Sequence, residues 1–448
     1  MSSENKKKLF IKTYGCQMNV YDSHKMADVM STVGYELVDD YANADMTIVN
    51  TCHIREKATD KLYCELGRIN KHNKKNNREM MIAVAGCVGQ AEGDEIMRRA
   101  PYVNLVVGPQ SYHQLPELIA KTSHKKSERI QLDFAADEKF DSLPAETTQS
   151  GSSVFLTIQE GCDKFCTFCV VPYTRGAEYS RPAADIIAEA KRMADNGAVE
   201  ITLLGQNVNA YDDGKSRLTD LATKIAEING IERIRYTTSH PRDMDDELIA
   251  AHGSIPELMP FLHLPVQSGS DNILQQMNRK HTAEFYLEII AKLRKARPDI
   301  AFSSDFIVGF PGESDKDFED TMKLVEQVNY AQCYSFKYSP RPGTPGALRE
   351  DTVAEALKSE RLAQLQALIN RQQNEYNKKF VGKNVKVLLD RKGKYKNQII
   401  GKTPYMQSVH LTTKLESFGN IVDVRITEMH ANSLGGEIID IKKDNIAA

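Results

Sequence analysis

Short apolar runs alternate with segments of helical apolar spacing along most of the chain. In the first segment, three of these runs end two residues before a cysteine: residues 9–14 before Cys16, residues 46–50 before Cys52, and residues 81–85 before Cys87. Helical patterns separate the runs, and such alternation predicts a parallel sheet flanked by helices. Ligands gather at the carboxyl ends of the strands in these sheets. We therefore expect the three cysteines to converge at one edge of the sheet.

Two roles for these three cysteines remain open from the pattern alone. Their thiolates can bind a metal cluster, or they can be buried structural residues, since cysteine is among the most buried residue types. Their shared position just after a strand end favours the cluster.

The composition changes twice along the rest of the chain. Residues 123–150 are polar and predict a linker with one short extended piece near residues 129–134. Six apolar runs then alternate with helical patterns, which favours a (β/α)6 partial barrel with its chemistry at the carboxyl ends of the strands. The domains expected from these changes are residues 1–122, residues 151–378 and residues 379–443.

The last segment contains five short β runs separated by Gly, Lys and Asn, and it predicts a small OB-like β-barrel of a kind that commonly binds oligonucleotides. Between residues 383 and 402, seven basic residues stand against a single acid, Asp390, and can bind phosphates. They are Lys383, Lys386, Arg391, Lys392, Lys394, Lys396 and Lys402. Tyr395 and Tyr405 are candidates for stacking on bases. A solvated surface is the alternative explanation for such a charge run.

Composition narrows the class of protein. The chain has 448 residues, of which 41% are hydrophobic and 27% charged, and this is typical of a globular protein. It has no apolar run of about 18 residues, and its basic start is followed by a strand rather than by an apolar signal segment. These features argue against a membrane span and export, and they predict a cytoplasmic protein. Eight cysteines are too few for a disulfide scaffold in a chain of this length.

A second group of cysteines follows the first strand of the central segment. Cys162, Cys166 and Cys169 have a CxxxCxxC spacing, which can place three thiolates around one iron–sulfur cluster and leave one iron open to a small molecule. A zinc knuckle would need a fourth Cys or His, and the loop contains none. The spacing therefore predicts a cluster at the end of the partial barrel where such folds carry out chemistry.

With these features assembled, the chain resembles the radical S-adenosylmethionine (SAM) methylthiotransferases along almost its full length. The strands that end at cysteines are similar to the first domain of that family, the CxxxCxxC loop to its catalytic loop, and the terminal barrel to its TRAM domain. Residues 166–176 and 204–211 are most similar to the branch that acts on tRNA N6-isopentenyladenosine. The branch that modifies a ribosomal protein usually has Asp-Thr where this chain has Asn207 and Val208.

The resemblance implies a reaction, its cofactors and its partners. The reaction is methylthiolation of C2 of N6-isopentenyladenosine at position 37, in the anticodon stem-loop of tRNA. The cofactors are two [4Fe–4S] clusters, one that binds SAM on the CxxxCxxC loop and an auxiliary one that carries the sulfur on the cysteines of the first segment. One SAM donates the methyl group and a second yields a 5'-deoxyadenosyl radical. An electron donor such as flavodoxin or ferredoxin and a monomeric chain are also implied.

The resemblance also directs attention to polar and aromatic residues around the two cysteine groups. Contacts to SAM are expected at or near strand ends from Phe168, Gly205, Gln206, Ser239, Arg242, Gln267 and Asp305. Contacts to the substrate base or the RNA are expected from Tyr14, Asn19, Asn50, Glu160, Arg175, Lys394, Lys396 and Lys402. Several of these residues also fit simpler roles: Phe168 in packing, Asn50 in capping a turn, and Glu160 as a carboxylate that faces solvent.

Two other functions remain open. The same chemistry can act on threonylcarbamoyladenosine 37 or on a ribosomal protein aspartate, because the spacing of residues does not mark the substrate pocket. A non-catalytic iron–sulfur protein is the other possibility, and the open-iron loop followed by six βα units argues against it.

Overall fold

The first domain is a parallel α/β sheet. The computed structural model describes residues 6–53, 56–124, 129–133, 136–144, 151–413 and 418–440. The elements of the first domain are β1 (Lys7–Tyr14), α1 (Gln17–Ser31), β2 (Tyr35–Leu37), β3 (Met46–Thr51), α2 (Glu56–Asn76), β4 (Met81–Ala85), α3 (Cys87–Arg99), β5 (Leu105–Val107), α4 (Leu115–His124), β6 (Ile130–Gln131) and α5 (Ala136–Asp141). All six strands are parallel, in the order β2-β1-β3-β4-β5-β6.

The continuous apolar runs of this domain arise because its central strands are buried on both faces. Along β4, Ile82 and Val84 point into one core, whereas Ala83 and Ala85 point into a second core on the other face of the sheet. Successive side chains of a strand alternate between faces, so a strand covered by helices on both sides needs apolar residues at every position.

Part of the predicted linker belongs to the first domain. β6 pairs with β5 and extends the sheet. α5 lies between the first and central domains: its fully buried lysine, Lys139, donates to the Pro109 carbonyl and pairs with Glu160, and Phe140 stacks on Tyr179. The strand corresponds to the extended piece predicted near residues 129–134. The helix was not predicted, because its six residues show no clear helical periodicity. Residues 125–128, 134–135 and 145–150 of this stretch lie outside the described residues.

The central domain is a partial barrel of six parallel strands. Its elements are β7 (Ser153–Thr157), β8 (Gln159–Glu160), α6 (Val171–Arg175), β9 (Tyr179–Ser180), α7 (Ala183–Asp195), β10 (Glu200–Leu204), α8 (Leu218–Ala226), β11 (Arg233–Thr237), α9 (Asp246–Ser254), β12 (Phe261–His263), α10 (Asp271–Gln276), α11 (Ala283–Ala296), β13 (Ala301–Val308), α12 (Asp315–Val328), β14 (Gln332–Lys337) and α13 (Glu355–Lys378). The strands form the sheets β7-β10-β11 and β12-β13-β14, which confirms the (β/α)6 prediction.

The last domain is a closed barrel of five strands. They are β15 (Asn384–Lys392), β16 (Gln398–Lys402), β17 (Ser408–Thr412), β18 (Ile421–His430) and β19 (Ser433–Asp440), in the closed order β15-β16-β17-β19-β18. Alternate residues such as Val387, Leu389 and Val424 fill its core. The small β-barrel was predicted correctly. Its longer strands exceed the predicted ones because they continue into charged residues, which an apolar pattern does not detect.

The terminal barrel docks against the amino ends of the central strands. Arg233 donates hydrogen bonds to the carbonyls of Lys402 at 2.8 Å and Lys386 at 3.1 Å, and Arg235 donates to the carbonyls of Pro404 at 2.8 Å and Thr403 at 3.0 Å. The five-stranded barrel therefore covers the end of the partial barrel opposite to the cysteine loop.

This docking also corrects the role expected for Tyr405. The Tyr405 hydroxyl donates to the Asp299 carboxylate at 2.9 Å, and its ring packs against Tyr376 and Phe380. Tyr405 therefore belongs to the joint between the two domains rather than to a surface that stacks on bases.

No helix of the described part of the chain is long and apolar enough to cross a membrane.

Arg235→Gln is expected to destabilise the joint between these domains. The change would remove the Arg235 partner of the buried Glu200 carboxylate, 2.8 Å away, together with the donors to two carbonyls. Breaking a buried ion pair typically costs about 3–5 kcal/mol. Urea unfolding should show a loss of that size, whereas Arg217→Gln, at an exposed pair with Asp245, should cost about 0–1 kcal/mol. Equal losses in the two variants would contradict this account.

Candidate active site

The three cysteines of the first domain converge at the carboxyl edge of its sheet. Cys16 precedes α1, Cys52 follows β3, and Cys87 is the first residue of α3. A Cβ atom on Gly15, which has a φ of +120°, would lie 2.4 Å from the Cβ of Cys52. The loops can approach this closely only because position 15 is glycine.

Two buried asparagines hold these loops together. The Asn19 side-chain oxygen accepts from the Cys16 thiol at 3.2 Å, and the Asn19 side-chain nitrogen donates to the side-chain oxygen of Asn50 at 3.1 Å. Asn50 in turn donates to the Asn19 carbonyl at 2.8 Å and to the Ser23 hydroxyl at 2.9 Å. Both asparagines are fully buried. This corrects the expectation that they meet the substrate base, because their polar groups are occupied within the protein. Tyr14, half-buried, donates to Glu65 at 3.2 Å.

The start of the CxxxCxxC loop is held by a close approach of the backbone at Gly161 and by hydrogen bonds with two glutamines. Gly161 has a φ of +74°, and a Cβ there would lie 1.8 Å from the Ala177 carbonyl oxygen. The Gly161 backbone N–H donates to the side-chain oxygen of Gln206 at 2.7 Å. The Gln206 backbone N–H donates in turn to the side-chain oxygen of Gln159 at 2.9 Å. Gln206, expected to contact SAM, thus supports the loop. A Cβ on Gly205 would lie 2.6 Å from the Gln159 side-chain oxygen, so this glycine permits the approach.

The thiols have different electrostatic surroundings. Burial raises the pKa of Cys162 to about 11 and that of Cys169 to about 12. A hydrogen bond with Cys52 lowers the pKa of Cys16 to about 6. Binding to a metal deprotonates such thiols outright. Each group of cysteines also has one arginine at a sulfur: Arg175 Nε lies 3.4 Å from Cys87 Sγ, and Arg279 Nη1 lies 3.5 Å from Cys166 Sγ.

These two sets of residues fit iron–sulfur clusters. Within the described ranges, no three Cys, His, Asp or Glu side chains lie close enough together to bind a single metal ion. A cluster has a different requirement, because each thiolate binds a different iron. Three thiols with a cationic donor beside one sulfur suit an anionic cluster, since hydrogen bonds to the sulfurs are part of how proteins hold such groups.

Four residues expected to contact SAM lie at or near the carboxyl ends of central strands. The Ser239 hydroxyl is buried and has no hydrogen-bond partner among the described residues, and the Arg242 side chain is exposed close by in sequence. Gln267 has a φ of +78° and exchanges backbone hydrogen bonds with β13. The half-buried Asp305 carboxylate lies 3.6 Å from His263 Nε2. Their contact with SAM stays a prediction.

Phe168 packs in a small apolar cluster. Its neighbours there are Ile273, Met277, Phe310 and Tyr338. This is the packing role that the sequence left open for an aromatic residue of the loop. The cluster fixes the end of the cysteine loop against α10, where the Thr167 amide also donates to the Met277 carbonyl at 3.1 Å.

Glu160 and Arg175 are buried, which corrects the solvent-facing role considered for Glu160 and the phosphate contact expected of Arg175. Glu160 is fully buried and forms ion pairs through Oε1 with Lys139 and with Arg175 Nη1 at 3.4 Å, so it does not face solvent. Its Oε2 has no hydrogen-bond partner among the described residues, and a contact of that oxygen with SAM or the base stays a prediction. Arg175 is 2% exposed and pairs with Asp22 at 2.6 Å. A guanidinium in this position does not reach an RNA phosphate.

The basic residues of the terminal barrel differ in exposure. Lys394 and Lys396 are exposed in the turn between β15 and β16, with Tyr395 between them, 69% exposed. Lys402 is half-buried, and its ammonium lies 3.9 Å from the Asp390 carboxylate. The turn is therefore the more available surface for a phosphate.

Comparisons with known proteins match the order of domains. The chain matches Uncharacterized protein family UPF0004 over residues 8–108, the Radical SAM superfamily over residues 156–325 and the TRAM domain over residues 378–439. A tRNA-2-methylthio-N(6)-dimethylallyladenosine synthase from Wolbachia pipientis subsp. Culex pipiens (strain wPip) is 61% identical over 438 residues, which are 96% of this chain and 99% of the relative. A protein of the same name from Rickettsia felis is 58% identical over 443 residues, 97% and 100% of the two chains.

The chain belongs to the tRNA-2-methylthio-N(6)-dimethylallyladenosine synthase family. This confirms the resemblance to the radical SAM methylthiotransferases that the cysteine motifs indicated. An iron–sulfur cluster and SAM are accordingly its cofactors.

Two solved structures share the fold of this synthase family at low sequence identity. The radical SAM methyltransferase TsrM from Kitasatospora setae, solved with cobalamin and a [4Fe–4S] cluster, has a TM-score of 0.59 at 11% identity, over 77% of this chain and 74% of its own. The cobalamin-dependent SAM radical enzyme OxsB, with aqua-cobalamin and SAM bound, has a TM-score of 0.55 at 12% identity, over 82% and 56%. The similarity between this chain and these two structures is a similarity of fold.

Several residues at the site of this family member were not predicted from its sequence. Lys139 and Asp22 complete the buried ion pairs around Arg175, and Arg279 contacts Cys166. Gln159 supports the cysteine loop through Gln206. The burial of Asp22 and of other polar residues along α1 is seen only in the structure. The others lie in stretches without a distinguishing pattern.

A second cluster of buried charges joins α1 to the central domain. The Glu189 carboxylate, on α7, lies 2.8 Å from Lys25 Nζ and 2.7 Å from Arg181 Nη2, and it accepts from the Tyr21 hydroxyl at 3.3 Å. Burial alone would raise the pKa of Glu189, but the two cations outweigh it and lower the pKa to about 2. This joint helps to fix the first cysteine group relative to the CxxxCxxC loop.

Glu189→Gln is expected to destabilise the protein by about 3 kcal/mol at pH 7. A carboxyl group whose pKa is lower in the folded state stabilises the protein above its unfolded pKa, near 4.5, and loses that contribution as the pH falls toward 2. Urea unfolding at pH 7 and at pH 3.5 should therefore show a smaller loss at the lower pH.

The matched control for this carboxylate is Glu95→Gln, because Glu95 pairs with Arg98 on the surface. Its free energy of unfolding should stay close to that of the parent protein. A loss in Glu189→Gln that is the same at both pH values would show that the charge of this carboxylate is not what stabilises the joint.

Proposed function

We propose that this chain methylthiolates C2 of N6-isopentenyladenosine at position 37 of tRNA. The observation that carries the proposal is the identity of 58–61% with synthases named for that product, over 96–97% of this chain. The matched length covers all three domains. A threonylcarbamoyladenosine or a ribosomal protein aspartate is therefore not the favoured substrate.

Two [4Fe–4S] clusters are the proposed cofactor set, with SAM. Cys162, Cys166 and Cys169 would hold the cluster that binds SAM. The auxiliary cluster would be held by the three cysteines that converge in the first domain, Cys16, Cys52 and Cys87. When bound, these groups supply an electron, a 5'-deoxyadenosyl radical from one SAM, a methyl group from another and the sulfur that is transferred.

The residues around the loops have positioning roles in this proposal. Gln159 and Gln206 hold the start of the CxxxCxxC loop at 2.7–2.9 Å contacts. Asn19 and Asn50 hold the first cysteine loops in the same way. The Ser239 hydroxyl, buried without a partner among the described residues, is a group that can bind a polar atom of SAM. Arg242, Gln267 and Asp305 are proposed beside it, since SAM carries charged and polar groups at both ends.

The terminal barrel is proposed to bind the tRNA through its exposed turn, with Lys394 and Lys396 on phosphates and Tyr395 on a base. We further propose a monomer of three domains with the limits stated above, except that β6 belongs to the first. Flavodoxin or ferredoxin is the proposed electron donor. The cytoplasm is the proposed compartment, since tRNA is the proposed substrate.

Substitutions in the two cysteine groups should separate the cleavage of SAM from the transfer of sulfur. In anaerobically reconstituted protein, Cys166→Ala should abolish the formation of 5'-deoxyadenosine from SAM. Cys52→Ala should leave that cleavage measurable and abolish methylthiolation, because the sulfur would no longer be held. Liquid chromatography of the nucleoside products measures both outcomes. Cys333→Ala, at a thiol of β14 outside both groups, is the control and should retain both activities.

The iron content tests the same proposal independently. About eight irons are expected in the parent protein and about four in each cysteine variant. About four in the parent would overturn the two-cluster proposal. Equal loss of SAM cleavage in folded Cys52→Ala and Cys166→Ala would overturn the division of roles. Methylthiolation of a tRNA with threonylcarbamoyladenosine, and not of one with isopentenyladenosine, would overturn the substrate.

Charge reversal in the exposed turn tests the RNA contact. Lys394→Glu combined with Lys396→Glu should weaken tRNA binding by more than tenfold at low salt and by less at high salt, because phosphate contacts release counterions. Filter binding at several salt concentrations measures the effect. Lys191→Glu with Lys224→Glu, at two exposed lysines of central helices, should bind as the parent does. Unchanged tRNA binding of the Lys394 and Lys396 variant at every salt concentration would exclude the turn as a contact for tRNA.

A further inference from the structure

Arg175 crosses from the central domain into the cysteine site of the first domain. It lies six residues after Cys169, at the end of α6, and is 2% exposed. Its Nε lies 3.4 Å from the Sγ of Cys87, and its backbone carbonyl accepts from the Gln110 side chain of the first domain at 2.9 Å. Both ends of the residue are thus held by the domain to which it does not belong.

Each nitrogen of the Arg175 guanidinium faces a different acceptor. Nη2 donates to Asp22 at 2.6 Å, Nη1 donates to Glu160 at 3.4 Å, and Nε points to Cys87. The planar guanidinium cannot turn one donor without moving the others. Glu160 also pairs with a second cation, Lys139, which balances its negative charge. The charges of Arg175 and Asp22 therefore balance each other. The third donor is therefore fixed in direction and available to a sulfur.

We propose that Arg175 is a positioning residue that completes the auxiliary cluster site from the central domain. It orients the Cys87 sulfur and donates a hydrogen bond to it once that sulfur is a thiolate ligand. This inference rests on the proposed function, because it requires a cluster on Cys16, Cys52 and Cys87.

A hydrogen bond of this kind has a defined effect on the cluster. Reduction by one electron adds negative charge to the cluster and its thiolates, and a charged donor at a sulfur stabilises that state. Loss of the contact should therefore make the reduction potential more negative. A tenfold change in the reduction equilibrium corresponds to about 59 mV for a one-electron couple.

Arg279 offers an internal comparison. It is buried, and its Nη1 lies 3.5 Å from Cys166 Sγ, but it belongs to the same domain as that cysteine. Among the described residues each cysteine group thus has one arginine at a sulfur, and of these two Arg175 is the one that reaches its cysteine across a domain boundary. Packing of the two domains is therefore a condition for the complete auxiliary site.

The experiment measures the potential of each cluster separately in the full chain. Replacing Cys162, Cys166 and Cys169 by Ala leaves only the auxiliary cluster, and replacing Cys16, Cys52 and Cys87 by Ala leaves only the other. Arg175→Lys is introduced into both backgrounds. The proteins are titrated with dithionite and mediators, and the reduced cluster is detected by electron paramagnetic resonance.

Arg175→Lys should make reduction of the auxiliary cluster about tenfold less favourable, about 59 mV more negative, and leave the other cluster unchanged. The matched control is Arg181→Lys, a buried arginine at the same domain interface that pairs with Glu189 and touches no cysteine in any described contact. It should leave both potentials unchanged. An unchanged auxiliary potential in Arg175→Lys, or an equal shift in Arg181→Lys, would overturn the inference.

A second variant guards against a folding defect in Arg175→Lys. Arg175→Gln with Asp22→Asn removes both charges of the balanced pair while Lys139 stays with Glu160, and it should give the same shift. Circular dichroism checks that each variant is folded. An unchanged potential in the folded double variant would also overturn the inference. The protein with Ala at Cys162, Cys166 and Cys169, and with Arg175 unchanged, is analysed for iron first. Absence of iron in it would overturn the two-cluster proposal itself, independently of any Arg175 variant.

Discussion

Buried charges between α1 and the central domain determine the geometry on which the rest of the molecule depends. Two separate clusters lie there, one around Glu189 and one around Arg175, and their charged side chains are all less than a tenth exposed. A charge removed from water is costly unless it is paired with good geometry, so the two domains are held in the one arrangement that pairs every group. The two cysteine groups come from different domains, and this arrangement sets their separation.

The ion pairs give specificity of docking more than net stability. Replacing such pairs by apolar residues often leaves stability unchanged or higher, whereas breaking one of them is strongly unfavourable. An apolar interface would tolerate small sliding motions between domains. Paired charges with distances such as 2.6 Å for Arg175 and Asp22 tolerate less displacement. A reaction that joins groups held by two domains benefits from that restriction, because small misplacements reduce the rate strongly.

Much of the fold could be predicted from the sequence, because strands buried on both faces leave continuous apolar runs and the CxxxCxxC spacing is local. The convergence of Cys16, Cys52 and Cys87 followed from the rule that parallel strands share a carboxyl edge. The partners of buried charges could not be predicted in this way. Lys139 lies in a short polar helix, and its pairing with Glu160 depends on how two domains meet. Arg175 was assigned to RNA for the same reason, since its sequence does not show that it is buried.

The docking of the terminal barrel has a geometric consequence. That barrel covers the amino ends of the central strands, and the cysteine loops lie at the carboxyl ends. A strand as long as β13, with eight residues, spans about 26 Å at about 3.3 Å per residue. A ligand that touches both the barrel and the cysteine loops must reach along the outside of the domain over a comparable length. A free nucleoside or a short fragment would be too small to make both contacts.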